Sequence, residues 1–173
     1  MNIIAILLLM AFSVFPNGQP QNPFATIKFD KVVMYDFEGG KDSDLSIVDD
    51  KGNLAKSISK EVELNKKSTE NLTRKLGELK SYGGATASCF DPHLGLVYYY
   101  KGKTVAHISI CLDCNRLRSS MDIPAQKQGK VGVGKDAYYI SDGLSKSFRM
   151  FLNELLKKNR FSHQVTPGSP FDE

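Results

Sequence analysis

The stretch Gly95-Leu-Val-Tyr-Tyr-Tyr-Lys-Gly-Lys-Thr-Val-Ala-His-Ile-Ser-Ile110 decides the fold. Its first part, up to Tyr100, is apolar, aromatic and β-branched. Its last part, from Thr104, alternates apolar and polar side chains up to Ile110. Between them, Lys101-Gly102-Lys103 carries no apolar residue. Two strand-like runs joined by a short glycine-centred loop predict an antiparallel hairpin. With Gly102 at the apex, cross-strand partners carry numbers summing to about 204, within one residue. That register sets His93 opposite Cys111 and Phe90 opposite Cys114. Directly opposed Cβ atoms lie about 4.5–5.5 Å apart. Cys89, His93, Cys111 and Cys114 are therefore expected together at the open end of the hairpin. Pro92 has no N–H to give the ladder, so the start of the first strand should be irregular.

Three chemistries suit this cluster. Cys111-x-x-Cys114 has the spacing of a metal knuckle, and Cys89-x-x-x-His93 offers two further ligands. A Cys₃His set fits a closed tetrahedral zinc site, which would hold the fold together and leave no position for a reacting water. Alternatively, Cys89 reaches Cys111 or Cys114 across the strands as a disulfide, a bond that typically adds about 2–4 kcal/mol. Three cysteines are an odd number, so one thiol would remain. The third reading is redox. Cys111 would be the nucleophile and Cys114 the resolving thiol, with Arg116 and Arg118 favouring a thiolate. A redox pair of the thioredoxin kind sits at a helix start after a parallel strand. Here a hairpin precedes the motif, so the chain is expected to be a binding or structural module and not an enzyme.

Cys89-Phe-Asp-Pro92, the tyrosine-rich strand and Ile110-Cys-Leu-Asp-Cys114 together resemble a family of exported proteins of Bacteroidetes-type bacteria. That family shares a Cys-aromatic-x-Pro element, a Phe/Tyr-rich strand and an Ile/Val-Cys-x-x-Cys element. The resemblance covers roughly the middle third of the chain. It implies export and a role for the three cysteines, and it carries no established activity. Where the family often has Arg after the Pro, this chain has His93.

The N-terminus points the same way. Ile3 to Phe15 is almost uninterrupted apolar sequence, followed by Pro16-Asn-Gly-Gln-Pro20. The run is far shorter than the roughly 20 residues of a membrane span and has the length of a signal-peptide core. Residues 1–18 are read as a signal peptide and 19–25 as a flexible lead-in. Residues 26–165 are read as a single domain and 166–173 as a loose tail. The product would be exported, periplasmic or secreted, with no transmembrane span in the mature chain. A net charge of +4, from 23 basic and 19 acidic residues, is mild. No Lys/Arg run interleaved with aromatics is present, which argues against nucleic acid. The expected partner is a protein or a surface.

The remaining chain completes an α+β reading. Ile27, Phe29, Val33, Tyr35 and Phe37 share one parity and predict a strand with one buried face. Leu45–Val48 reads as a short strand, Asp49–Asn53 as a turn, and residues 44–64 as a hairpin or meander. Ser68-Thr69 are expected to cap a helix through Leu72, Leu76 and Leu79, ended by Gly83-Gly84. Asn115–Ser120 is expected to start a short helix, 124–135 to be a loop, and Asp136–Ile140 a brief strand. Ser141 or Ser145 would cap a last helix with the stripe Leu144, Phe148, Phe151, Leu152 and Leu155. The fold expected is a mostly antiparallel sheet with two amphipathic helices on one face. Tyr98, Tyr99 and Tyr100 are read as alternately packed and exposed strand residues, in preference to a carbohydrate platform.

Other signals are weak. Gly129-x-x-x-x-Gly134-Lys135 is followed by Asp136 where a phosphate-binding loop needs Ser or Thr. Asp42, Asp44, Asp49 and Asp50 lack calcium-loop spacing. Asn71-Leu-Thr73 falls in a predicted helix, and no Gly-x-Ser-x-Gly presents a serine nucleophile.

Overall fold

The structure is a computed structural model and describes residues 20–40, 45–165 and 170–171. The expected signal peptide and most of the expected tail lie outside the described residues. In chain order the elements are α1 (Pro23–Thr26), β1 (Lys31–Phe37), β2 (Ile58–Glu63), α2 (Lys66–Leu76), β3 (Tyr82–Gly84), β4 (Leu94–Tyr100) and β5 (Lys103–Cys111). They continue with β6 (Arg116–Ser119), β7 (Gln128–Val131), β8 (Tyr138–Ser141), β9 (Gly143–Leu144) and α3 (Lys146–Lys158). Five strands form one sheet in the order β2-β1-β4-β5-β6, with every neighbouring pair antiparallel. Two small pairs, β3-β9 and β7-β8, complete a mostly antiparallel α+β fold.

The β4–β5 hairpin forms in the expected register, with Leu94 facing Ile110 and Tyr98 facing Ala106. Lys101 (φ 50°) and Gly102 (φ 76°) both adopt left-handed backbone, as a two-residue type I′ turn requires. The register slips by one beyond Tyr98, where Tyr99 faces Thr104. The ladder stops at Leu94, and the His93 N–H donates to the Ile110 carbonyl at 3.1 Å.

Side chains of one parity face the helices. Val32, Met34, Leu94, Leu96, Tyr98, Ala106, Ile108 and Ile110 pack with Leu72 and Leu76 of α2 and with Phe148, Leu152 and Leu156 of α3. The opposite face is also covered. Val33, Tyr35, Phe37 and Val97 lie under Ile47, Val48 and Ala55 from the loop between β1 and β2. Strand β1 is therefore buried on both faces after Lys31, and the one-sided strand expected over 27–37 is shorter and central. Tyr98 is fully buried while Tyr99 and Tyr100 are both half-buried, so burial along the three does not alternate as expected.

Several local expectations are corrected. Leu45–Val48 makes only an isolated bridge, Val48 to Leu54, and Ile47 takes its N–H to the Ser109 hydroxyl at 2.8 Å. In β2, a bulge opposite Asp36 and Phe37 turns Ile58 toward one face of the sheet and Val62 toward the other. Helix α2 starts three residues early, because the Asn65 side chain accepts the Ser68 N–H at 2.9 Å. It ends at Gly77, not at Gly83-Gly84, which instead join β3. Residues 116–119 are a strand, since pairing with the β5 edge outweighs any short helix. The 124–135 loop contains β7, which pairs with β8. The lead-in is anchored from Asn22 onward, for Phe24 is fully buried and Asn22 Nδ2 donates to the Thr73 carbonyl at 2.7 Å. Helix α3 begins at the Ser145 cap, one of the two serines expected.

Candidate functional site

Strand β5 runs into the turn Leu112–Asn115, which returns as β6. Cys111 and Cys114 therefore lie on either side of one tight corner. Asn115 holds that corner in left-handed backbone (φ 51°), a conformation that asparagine tolerates better than most residues. Its side-chain Nδ2 donates to the Ala85 and Leu144 carbonyls at 2.8 and 2.9 Å. From α3, the buried Arg149 donates Nη1 to the Leu112 carbonyl at 2.8 Å and to Asn115 Oδ1 at 3.2 Å. The 85–93 segment is tied in by the Ala87 N–H, which donates to the Cys114 carbonyl at 3.0 Å.

This scaffold brings all three cysteines together. Cys114 lies in bonding reach of both Cys89 (Cα–Cα 5.8 Å) and Cys111 (Cα–Cα 5.3 Å). One sulfur takes one disulfide partner, so the trio can hold one disulfide and one thiol, or offer three sulfurs to a metal ion. The Cys114 N–H donates to Cys111 Sγ at 3.1 Å. Cys111 and Cys114 are buried, and Cys89 is exposed. Arg116 turns to the Ser88 carbonyl at 3.2 Å, and the Arg118 guanidinium lies 4.3 Å from the centre of the Phe90 ring. Both arginines suggested as thiolate partners are thus engaged with the 88–90 segment.

His93, expected as the fourth ligand, is placed with a different group. Its ring stacks on His163 with centroids 4.0 Å apart and planes 6° from parallel. Nδ1 lies 3.2 Å from the Phe37 carbonyl and 3.6 Å from Glu38 Oε2, and Nε2 lies 3.8 Å from Asp91 Oδ2. Beneath the stack, Asp36 is fully buried. Its Oδ2 accepts the Ser162 N–H and hydroxyl at 2.6 and 2.8 Å, and its Oδ1 accepts His163 Nδ1–H at 2.6 Å. Burial alone would raise the Asp36 pKa. The hydrogen bonds from His163 and Ser162, with the His163 charge, outweigh it and hold the carboxyl below its ordinary range.

Sequence reading missed Asp36, Glu38 and His163. The last reaches the sheet through a Schellman turn after α3. Arg160 (φ 54°) donates its N–H to the Lys157 carbonyl, Phe161 N–H returns to Leu156, and the buried Phe161 ring anchors the segment. No local pattern announces a contact between residues 36 and 163.

A third feature is an open groove of about 590 Å³ between the 45–52 loop and β5, lined by Leu45, Val48, Asp49, Val105, His107 and Met121. The His107 Nδ1 there is buried with no hydrogen-bond partner among the described residues, and desolvation pulls the imidazole below its ordinary pKa. Among the described residues, no helix is long and apolar enough to cross a membrane. Comparison with protein-family models, curated proteins and solved structures finds no match, so the functional reading rests on the chemistry of these residues.

Proposed function

We propose that this chain is an exported, non-catalytic binding or structural module whose β5–β6 corner is stapled by a Cys89–Cys114 disulfide. The observation that carries this reading is a pair of buried sulfurs in a turn fixed by Arg149 and Asn115, with an exposed third sulfur brought to them from a separate segment. Loop size favours Cys89–Cys114 over Cys111–Cys114. The two pairings span 25 and 3 residues of sequence. Chain-entropy reasoning assigns the longer loop roughly 3–4 kcal/mol and the shorter roughly 1–2 kcal/mol. Cys111 would then remain a buried thiol accepting the Cys114 N–H. The apolar N-terminal run and the family resemblance support export, and an oxidising compartment lets such a bond persist. A structural zinc on the three sulfurs is the competing form of the same staple. The partner is a protein or a surface, and the groove beside His107 is the concave face available to it.

A thiol–disulfide exchange enzyme is the second reading, favoured by the position of Cys114 between two partners. The Cys111 thiolate would attack Cys114 Sγ, form Cys111–Cys114 and release Cys89 as a thiolate that takes a proton. No net oxidation occurs in that step, and the exposed Cys89 is the sulfur open to an external thiol.

Intact mass before and after reduction, with thiol counting, peptide mapping and zinc analysis, separates these readings. The staple predicts one Cys89–Cys114 bond, one slowly reacting thiol at Cys111 and no stoichiometric zinc. Three thiols with one zinc per chain would replace the disulfide by metal. A fast-reacting thiol with a reducible Cys111–Cys114 bond would favour the enzyme.

A further inference from the structure

We propose that Glu38, His93 and His163 form a second, sulfur-free site for a divalent transition ion of the zinc class. Their three ligand atoms lie within 4.8 Å of one another. His163 carries the argument. Asp36 is buried and accepts the Nδ1 proton, which fixes the tautomer and leaves the Nε2 lone pair pointing away from the carboxylate. A buried carboxylate on the far nitrogen is the arrangement that orients and strengthens a metal-binding imidazole.

That lone pair faces Glu38 Oε1 at 3.2 Å. A proton or a metal ion on Nε2 can bridge such an approach, and metal binding would displace the proton. Zinc–nitrogen and zinc–oxygen bonds of about 2.0–2.1 Å meeting at the tetrahedral angle separate their donors by about 3.3 Å. The His163–Glu38 distance already matches one edge of that tetrahedron.

His93 would supply the third donor: its Nδ1 lies 3.6 Å from Glu38 Oε2 and donates to the Phe37 carbonyl at 3.2 Å, so metal binding through Nδ1 would break that hydrogen bond. Its ring must turn out of the stack so that the two imidazole lone pairs converge. Asp36, Glu38 and Asp91 surround the two rings with three carboxyl groups, and this charge favours a cation. Imidazole and carboxylate donors suit zinc and its neighbours better than calcium or magnesium. Three protein donors leave a fourth position for water or for a partner's side chain. The site is independent of the cysteine staple and does not rest on it.

The test uses the full chain with zinc and then cobalt as probes. One ion is expected to bind per chain, read by competition with a chromophoric chelator. Glu38→Gln and His163→Gln should each weaken binding by at least roughly tenfold, and Asp36→Asn by about 10–100-fold. The cobalt spectrum should show the visible bands of a nitrogen–oxygen site without a sulfur-to-metal charge-transfer band. Because Glu38 is half exposed, Glu38→Gln separates loss of a ligand from loss of folding. Absence of zinc uptake, affinity unchanged in Glu38→Gln, or a sulfur charge-transfer band would each overturn the proposal. The last result would move the ion to the cysteines.

Discussion

Cys114 and Asp36 are the two residues on which the chemistry turns. Each is buried and each gathers groups from separate parts of the chain. Cys114 joins the β5–β6 corner to the 85–93 segment. Asp36 joins β1 to the segment after α3, through contacts separated by 126 and 127 residues in sequence. Burial also sets the behaviour of His107. Its desolvated imidazole takes a proton less readily when folded than when unfolded. Unfolded chains therefore bind the proton first as pH falls through about 6.5, the ordinary histidine value. Stability should be flat above that range and should decline as pH drops from it toward the lower folded pKa. Urea unfolding between pH 8 and pH 5 checks this, and His107→Gln should remove that part of the slope.

At the scale of elements, the β4–β5 hairpin was the most legible part of the chain. Aromatic and β-branched runs around a glycine specify both its existence and its register. Beside the register slip at Tyr98, the turn residue Lys101 departs from the ideal, since it holds a left-handed conformation that asparagine adopts at lower cost. Lys101→Asn is expected to raise stability by roughly 0.5–1 kcal/mol, measured by chemical unfolding. Helix α3 was equally readable, because its Ser145 cap and apolar stripe repeat over more than three turns. Arg116–Ser119 was not readable. Four residues carry no decisive period, and the strand exists because the β5 edge was open beside it. The same holds for β2. Its apolar residues share one parity in sequence, yet the bulge sends Ile58 and Val62 to opposite faces.

Over the whole molecule, the class was legible and the second covered face was not. The two helices pack on one side of the sheet as their apolar stripes require. The other side is closed by a loop whose Ile47 fits over Gly95. A Cβ at Gly95 would run into the Ile47 side chain, so Gly95→Ala should cost roughly 1–3 kcal/mol and loosen the 45–57 loop in hydrogen exchange. The cysteine cluster was foreseeable because one hairpin and one turn bring it together. The histidine cluster was not, because it needs the chain end to return across the sheet after α3. His93 was singled out from sequence, but its neighbours were set by that return path and not by its spacing from Cys89.

The staple makes a direct demand on folding energetics, best measured as urea unfolding of the wild type and Cys89→Ser, each with and without reductant. The account predicts that reductant lowers wild-type stability by roughly 3–4 kcal/mol, and lowers Cys89→Ser, which retains only the short-loop Cys111–Cys114 pairing, by no more than about 1–2 kcal/mol. Wild-type stability indifferent to reductant, or a Cys89→Ser variant that loses as much stability on reduction as the wild type, would contradict it.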